Sequence, residues 1–382
     1  MKNYNIITLG ASGAGKTVFL ASLFKQLSLP TDEGVYLEVR DSEQQKALNQ
    51  IYAQVANEKL WPRGTTGKVT KWKFTCCVKT QNLEQYPVCQ FTYIDYAGGI
   101  LTDIVDKEDR KNIQYDFCQE VTQADAVIVL IDGQQLLKYI QTDFNLNDNG
   151  VAKWLMTDLP NTIQLANCVK KNPVHFVITK WDLFQGKYAL AAVRQCLENK
   201  CGEFSKLVAQ RVNAGCPVRL IPISSVGNEF VTMRSDGSMK KNLRSVPEPF
   251  QLEIPLSYLL IDRVIADLNN IDCQDKNTKQ SLEYKYRFWF DLVPNILKRG
   301  RLLTREERIQ KLKKVNDTKT AFSYLIDVFI DYITQFEQNY PKANLGGEMD
   351  LANSQSGSNP QNKDSTIFSM FTSIFSLKIE QK

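Results

Sequence analysis

A glycine-rich loop lies near the start of the chain, between an apolar segment and an amphipathic one. The loop reads GASGAGKT from Gly10 to Thr17, follows the run YNIITL and precedes VFLASLF. This order predicts a strand, a tight loop and a helix. Glycines let a backbone wrap around an anion with its N–H groups turned inward, and the helix start adds the positive end of its dipole. The chain is therefore restricted to folds in which a strand passes directly into a helix at an anion site.

The loop matches the pattern G-x-x-x-x-G-K-[ST], in which each residue type has a chemical task. Lys16 is expected to reach the β- and γ-phosphates of a nucleotide, and the Thr17 hydroxyl is expected to bind Mg²⁺. The residues predicted to contact the nucleotide here are Ser12, Gly13, Ala14, Gly15, Lys16, Thr17 and Val18. A glycine-rich turn without a ligand is the alternative, and the position between strand and helix disfavours it.

Short β-branched or aromatic runs alternate with segments of helical period, which is typical of a mostly parallel sheet covered by helices on both faces. The predicted fold is α/β, a P-loop NTPase three-layer sandwich with a mostly parallel six-stranded sheet, plus a small helical C-terminal region. The predicted strands are Asn5 to Leu9, Val69 to Lys79, Val88 to Ile94, Ala126 to Ile131, Val174 to Thr179 and Val218 to Ile223. The predicted helices are Lys16 to Leu27, Glu43 to Glu58, Lys111 to Gln123, Ala152 to Val169, Tyr188 to Gln210 and Glu253 to Asn269.

The pattern divides the chain into four regions. A nucleotide-binding domain covers residues 1–270, and a helical extension with apolar residues on shared faces covers 271–341. Residues 342–364 are rich in Asn, Gly, Ser and Gln, so they are predicted to form a flexible linker. The tail, residues 365–382, sets Ile, Phe and Met against Ser and Thr at helical spacing. Insertion into a membrane surface, docking to a protein partner and packing on this chain itself are all open for the tail.

Three further motifs follow the loop in order, each after an apolar run: DYAGG from Asp95, ITKWD from Ile178 and ISSVG from Ile223. Each alone also fits an ordinary turn or helix cap. Together with the phosphate loop, the set resembles the translation-factor-related class of P-loop GTPases, which includes the Ras-like proteins. The resemblance spans roughly residues 4–270. It implies that Asp95 holds Mg²⁺ through water and that the Gly98 amide contacts the γ-phosphate.

The resemblance also implies which residues read the base. Thr179, Lys180 and Asp182 stand in the N-K-x-D motif, with threonine in the asparagine position, and Ser224, Ser225 and Val226 stand in the S-A-x loop. A carboxylate at Asp182 can accept two hydrogen bonds from guanine, whereas adenine offers no such donor pair. Lys180 is expected to cover the ring with its alkyl stem. Ser225 is expected to face the guanine O6 with its backbone amide, and Ser224 to support Asp182.

The family's remaining motif is a threonine that closes over Mg²⁺, expected between Lys16 and Asp95. The stretch WPRGTTGKVT offers Thr65 and Thr66, with Thr70 as a third option. We assign Thr66 to the metal and Thr65, with Lys16 and Gly98, to catalysis, and the choice between the two threonines stays open. Many family members carry glutamine after the D-x-x-G glycine, but here that residue is Gly99. Slow hydrolysis is therefore expected, unless Arg63, Lys68 or a partner supplies the missing group.

The predicted function is that of a GTP-binding, Mg²⁺-dependent switch or slow GTPase that hydrolyses GTP to GDP and phosphate. A nucleotide-stabilised scaffold with vestigial hydrolysis is the main alternative, and an ATPase is third. The predicted ligands are GTP or GDP and Mg²⁺, with a protein partner or regulator besides.

Composition limits the compartment and the partners. The net charge of +5, from 47 basic and 42 acidic residues, is too small to favour nucleic acid, which we expect not to be a partner. Thirteen Lys or Arg against five Asp or Glu fall between Lys276 and Lys319. This stretch could contact an anionic lipid surface, an acidic protein or, least favoured, nucleic acid, or it could form a solvated charged face. Nine scattered cysteines and no leader before the first strand predict a reducing, cytoplasmic location, with peripheral membrane contact through the tail as an option.

Overall fold

The computed structural model of the chain describes residues 1–62, 69–95, 119–141, 149–169, 172–234, 238–272 and 302–346. Several predictions lie outside the described residues: Arg63 to Lys68 with Thr65 and Thr66, Gly98 and Gly99, the first part of the Lys111 to Gln123 helix, and the tail. The predicted helical extension is described from residue 302 onward. The division of the chain into four regions stays a prediction.

A mostly parallel sheet with helices packed against it forms the centre of the molecule, as the α/β prediction expects. The strands are β1 (Lys2–Leu9), β2 (Val35–Glu38), β3 (Thr70–Lys79), β4 (Gln85–Asp95), β5 (Ala126–Ile131), β6 (Val174–Ile178), β7 (Val218–Pro222), β8 (Val231–Met233), β9 (Met239–Lys241) and β10 (Asn344–Gly346). The main sheet has the order β10-β7-β6-β5-β1-β4-β3-β2, and β8 pairs with β9 in a separate hairpin. Strands β4, β1, β5, β6 and β7 run parallel, whereas β3, β2 and β10 add antiparallel pairings at the two sides.

In the part of the chain that the structure describes, the main sheet has eight strands, so the predicted number of six was too low. The six predicted strands are all present, with ends shifted by a few residues. Strand β2 was missed because its four residues, VYLE, are too few to show a period. Strand β10 lies within the predicted linker and carries one large apolar residue, Leu345. It is held by backbone pairing to β7, including a hydrogen bond from the Leu220 amide to the Ala343 carbonyl (2.7 Å).

The helices are α1 (Lys16–Leu27), α2 (Ser42–Asn57), α3 (Gly133–Gln141), α4 (Asn149–Lys153), α5 (Leu159–Ala166), α6 (Leu190–Lys200), α7 (Gly202–Asn213), α8 (Ile254–Asp272), α9 (Arg305–Lys313) and α10 (Thr318–Asn339). A wider helical turn, Trp154–Asp158, connects α4 to α5, and residues 119–123 are also helical. No helix in the described part of the chain is long and apolar enough to cross a lipid bilayer.

Two predicted helices differ from the observed ones, and α3 was not predicted. The segment predicted as one helix from Tyr188 to Gln210 is broken at Cys201, which adopts extended dihedral angles (φ −115°, ψ 94°). Gly202 follows directly, and glycine has a low helix propensity, which favours a break at this point. The helix predicted from Ala152 to Val169 instead begins at Asn149 and ends at Ala166, with the wider turn inside it.

The C-terminal helices pack onto the same apolar core as the sheet. Thr304 caps α9 and Asp317 caps α10, in each case with a reciprocal pair of hydrogen bonds that satisfies free backbone groups at the helix start. The buried face of α10 includes Leu325, Val328 and Phe336, as its spacing predicts. These residues carry the core beyond the predicted boundary at residue 270.

A buried polar network fastens α8 and α10 to the sheet. The carboxylate of Asp262 on α8 accepts a hydrogen bond from Arg219 Nη2 on β7 (3.0 Å) and lies 3.1 Å from His175 Nε2 on β6. Burial by itself would raise the pKa of Asp262, but Arg219 and His175 outweigh it and hold that pKa below its ordinary value. The Tyr258 hydroxyl on α8 donates to Glu337 Oε1 on α10 (2.8 Å). His175, the single histidine of the chain, is therefore a buried strand residue in this network.

Glu337 is expected to make the stability of the fold depend on pH. Burial raises its pKa above the ordinary value, against the smaller lowering effects of Arg219 and the Tyr258 hydrogen bond. The folded state therefore holds this proton more tightly than the unfolded state does, and the associated stability is lost as pH rises from the ordinary glutamate pKa through the raised one. Glu337→Gln, which cannot ionise, should lack this loss, so its free energy of unfolding should improve relative to wild type as pH rises.

Urea denaturation of both proteins across the mildly acidic to neutral range measures this difference. Glu306→Gln is the matched control because Glu306 is exposed on α9. The difference in the free energy of unfolding between Glu337→Gln and wild type should change with pH. A difference that stays constant across the range contradicts the prediction.

Candidate functional site

The loop between β1 and α1 has the conformation that its glycines permit. Gly13 (φ 82°) and Gly15 (φ 89°) both adopt the left-handed backbone region that residues with a Cβ rarely occupy. The Ala14 amide donates to the Ala11 carbonyl (3.2 Å), which folds the loop back on itself, and the Phe19 amide donates to the Gly15 carbonyl (2.8 Å) at the start of α1. The sequence thus builds a compact loop at a helix N-terminus, the arrangement that suits an anion.

Lys16 lies over this loop with its ammonium group largely buried. Its Nζ donates to the Gly10 carbonyl (2.7 Å) and to the Ala11 carbonyl (3.2 Å), and the residue is 8% exposed. Burial lowers the pKa of Lys16, and the negative charge of Asp95 opposes that shift. A cation that is buried beside backbone amides is well suited to bind phosphate oxygens.

Two predicted magnesium ligands lie at the ends of their elements near this loop. Asp95 is the last residue of β4, is 1% exposed, and is aligned with Thr8 of the neighbouring β1. Thr17 is the second residue of α1 and lines the cleft described below. A hydroxyl and a carboxylate are oxygen donors of the kind that Mg²⁺ prefers, so these residues fit the ion. Thr65, Thr66 and Gly98 lie outside the described residues.

The loop after β6 is hydrogen-bonded directly to the phosphate loop. Thr179 is 2% exposed, and its Oγ1 lies 3.0 Å from the Ala14 carbonyl oxygen and 3.2 Å from the Ile131 carbonyl oxygen. A hydroxyl has one proton, so it donates to one of these carbonyls at a time. Thr179, which stands in the asparagine position of the N-K-x-D motif, therefore joins the two loops.

Lys180 forms a second connection between the same loops. Its backbone is left-handed (φ 56°), and its ammonium group donates to the Gly13 carbonyl (3.0 Å), to Asp132 Oδ1 (2.8 Å) and to Gln134 Oε1 (3.3 Å). The aliphatic part of the side chain thus extends along the cleft to the phosphate loop.

Asp182 is held by the loop that follows β7. Ser224 is fully buried, and its hydroxyl donates to Asp182 Oδ1 (2.5 Å) and accepts from the Gly227 amide (2.9 Å). Burial raises the pKa of Asp182 above its ordinary value, and the Ser224 hydrogen bond partly offsets this shift because it stabilises the charged carboxylate. Ser224 therefore orients the Asp182 carboxylate.

These loops border one cleft of about 450 Å³, a size that is usual for small-molecule sites. Lys16 and Asp182, which are 166 positions apart in the sequence, both line it. The other predicted residues on its wall are Ser12, Gly13, Gly15, Thr17, Val18, Thr179, Lys180, Ser225 and Val226. Ala14 and Ser224 stand behind the wall and support it through the hydrogen bonds given above.

The cleft also contains residues that the sequence analysis did not identify. Asp132 follows β5, accepts the Lys180 hydrogen bond, and accepts a bond from the Gln134 amide (2.9 Å) at the start of α3. Its position at the carboxyl end of a parallel strand is the signal that could have revealed it, because ligands bind at such strand ends. Trp61, Val231 and Met239 form an apolar part of the wall, and no local pattern in the sequence marks them.

A family model described as Double-GTPase 1 matches residues 7–244, more than half of the chain. The chain belongs to the Double-GTPase 1 family. The match extends from β1 to the hairpin of β8 and β9, so it includes both loops that meet at the cleft. Membership of the Double-GTPase 1 family supports guanine-nucleotide binding and agrees with the GTPase resemblance of the motifs. No curated protein sequence matches the chain.

Three solved structures are similar to parts of this Double-GTPase 1 chain. They are a bacterial selenocysteine-specific elongation factor EF-Sec (14% identity, TM-score 0.27), sup35 complexed with GDP (12%, 0.30) and the Arl6 BBS3 small GTPase from Trypanosoma brucei with bound GppNp (14%, 0.30). The matches cover 59%, 59% and 69% of this chain, and 26%, 37% and 98% of the respective structures. The chain therefore spans about a quarter of the first structure and little more than a third of the second. The family assignment rests on the match over residues 7–244.

Removal of the Ser224 hydroxyl should weaken GDP binding and make it more sensitive to acid. A protonated Asp182 cannot accept two hydrogen bonds, so affinity should be lost as pH falls through the pKa of this carboxyl group. Ser224→Ala removes a hydrogen bond to the charged form, so the pKa rises further and the loss begins at a higher pH. Near neutral pH we expect about tenfold weaker binding, which corresponds to one charge-assisted hydrogen bond.

Calorimetric titration with GDP at a series of pH values, from about 4, the ordinary aspartate pKa, up to neutral, measures both effects. Exposed Ser42 provides the control Ser42→Ala. The interpretation fails if the pH profile of Ser224→Ala superimposes on that of wild type.

Proposed function

We propose that this protein is a GTP-binding, Mg²⁺-dependent molecular switch that hydrolyses GTP slowly to GDP and phosphate. The observation that carries the proposal is the common cleft, in which the Lys16 loop and the Asp182 loop are joined by the Thr179 and Lys180 hydrogen bonds. A nucleotide has its charged phosphates at one end and its base at the other. The cleft likewise presents the phosphate loop for the phosphates and the buried Asp182 carboxylate for the base. The order of the motifs supports placement in the translation-factor-related class of P-loop GTPases.

The base end of the cleft favours guanine. The carboxylate of Asp182 can accept from the N1–H and the N2 amino group together, and its orientation is fixed by Ser224. We assign the alkyl stem of Lys180 to one face of the ring and the Ser225 amide to the guanine O6. Adenine has no matching pair of donors, so it would leave the buried carboxylate without hydrogen bonds from the base, which is costly.

The phosphate end stabilises negative charge. We assign the amides of the Gly13 to Thr17 segment and the start of α1 to the phosphate oxygens, with the Lys16 ammonium on the β- and γ-phosphates. Phosphate binding would draw the Lys16 ammonium toward the nucleotide from the Gly10 and Ala11 carbonyls. Bound Mg²⁺ would neutralise charge on the β- and γ-phosphates, with Thr17, Asp95 and, by the resemblance, Thr66 as the residues that hold it.

Hydrolysis should be slow because Gly99 has no side chain to orient the attacking water. The same feature favours the second candidate, a scaffold that GTP stabilises without being consumed. Single-turnover phosphate release from bound GTP distinguishes the two functions. If wild type releases phosphate and Lys16→Ala does not, the result supports the GTPase. If wild type binds GTP tightly but releases no phosphate, the result supports the scaffold.

Asp182→Asn should change the base preference from guanine to xanthine. An amide at this position offers a donor to the O2 of xanthine and can no longer accept two hydrogen bonds from guanine. We expect GTP affinity to fall by about a hundredfold, corresponding to two lost charge-assisted bonds, and XTP affinity to rise. Competition binding with GTP, XTP and ATP on wild type and variant provides the measurement.

The control for this experiment is Asp32→Asn, because Asp32 is exposed on the loop before β2. Equal GTP-to-XTP preference in wild type and Asp182→Asn would show that this carboxylate does not read the base.

A further inference from the structure

Lys241 is a buried lysine whose three N–H donors are fully used by the end of one helix. It is 7% exposed and lies at the end of β9. Its Nζ donates to the carbonyl oxygens of Gln54 (2.8 Å), Glu58 (3.0 Å) and Leu60 (2.9 Å). An ammonium group has three donors, so the match in number is complete. A cation at this position also interacts favourably with the negative, C-terminal end of the α2 dipole.

The same ammonium group lies 4.4 Å from the centre of the Trp61 ring, within the range of a cation–π interaction. Lys241 therefore fixes the chain that leaves α2 as well as the helix end itself. Trp61 is part of the cleft wall, so a contact that holds this residue also shapes the cleft.

The hairpin that carries Lys241 supplies the other part of this wall. Lys241 pairs with Val231 across the hairpin, and Met239 lies two residues earlier on the same strand, which places its side chain on the same face as Lys241. Val231 and Met239 line the cleft, and Val231 packs in a small apolar cluster with Val226, the residue next to Ser225. The wall formed by Trp61, Val231 and Met239 is named the apolar wall below.

A close backbone approach and two backbone hydrogen bonds hold the hairpin near the base-reading loop. Gly227 is left-handed (φ 80°), and a Cβ at this position would lie 2.3 Å from the Glu248 carbonyl oxygen, so only glycine allows this close approach. The Glu248 amide donates to the Val226 carbonyl (3.0 Å), and the Asn242 amide donates to the Phe230 carbonyl (2.8 Å). Lys241 provides a polar connection from this hairpin to the end of α2.

We propose that Lys241 is a positioning residue that holds the apolar wall against a bound guanine nucleotide and thereby slows nucleotide release. The inference rests on the proposed binding of a guanine nucleotide in the cleft. Lys241 acts through Trp61, Val231 and Met239 and does not itself line the cleft. Loss of the ammonium group leaves three carbonyls without this donor and removes the polar connection between the hairpin and the end of α2. The apolar wall then opens more often and the nucleotide leaves faster.

The test is the release rate of a fluorescent GDP derivative from full-length wild type, Lys241→Met and Lys240→Met, chased with excess GDP well below the melting temperature. Lys240 is the matched control because it is exposed on the same strand. We expect release from Lys241→Met to be about tenfold faster, corresponding to one charge-assisted hydrogen bond. The association rate and the preference for GDP over XDP should stay within about twofold, because most effects of a wall residue fall on dissociation.

A merely structural role for Lys241 gives a different result. The melting temperature of nucleotide-free Lys241→Met would fall while its release rate matched that of wild type, and this outcome overturns the inference. Met239→Ser provides a second test that leaves Lys241 in place, and it should also release GDP faster. Unchanged release from Met239→Ser likewise overturns it. Failure of wild type to bind the GDP derivative at all would instead contradict the proposed function.

Discussion

The hydrogen bonds between the phosphate loop and the loop after β6 are the constraint on which the site depends. The Thr179 hydroxyl bonds to the Ala14 carbonyl and the Lys180 ammonium group bonds to the Gly13 carbonyl. Two loops that are distant in the sequence are therefore held next to each other. Parallel pairing of β1 with β5 and of β5 with β6 brings these strand ends to the same edge of the sheet. A single ligand can then contact Lys16 and Asp182 together, and this is what the proposed function requires.

Local sequence features predict the α/β fold, and many of the residues that they single out line the cleft. The phosphate loop, Thr179 to Asp182 and the Ser224 loop each follow a strongly apolar strand, so their positions at strand ends follow from the pattern. The short strands β2 and β10 could not be predicted, because their formation depends on pairing with β3 and β7 and not on their own composition. Trp61 and Met239 were missed for the same reason, since a hairpin and a helix end meet there only in the folded chain.

The C-terminal helices belong to the same packed core as the sheet, which the sequence pattern alone did not reveal. Asp262 on α8 is paired with Arg219 on β7, and Tyr258 on α8 is bonded to Glu337 on α10. In addition, Arg308 of α9 forms an ion pair with Glu33 (2.8 Å), and the Tyr324 hydroxyl of α10 donates to the Glu33 carbonyl (2.9 Å). Glu33 lies in the connection between α1 and β2, so α9 and α10 contact the chain that leaves the helix of the phosphate loop.

Hydrogen–deuterium exchange with and without GDP tests the central claim most directly, because it reports on both loops in one experiment. The account predicts that GDP slows amide exchange in residues 10–18 and in residues 179–183 together, at the same nucleotide concentration, while β10 is little affected. Protection of only one of these segments, or of neither at a concentration where GDP is bound, would contradict a single nucleotide site shared by Lys16 and Asp182.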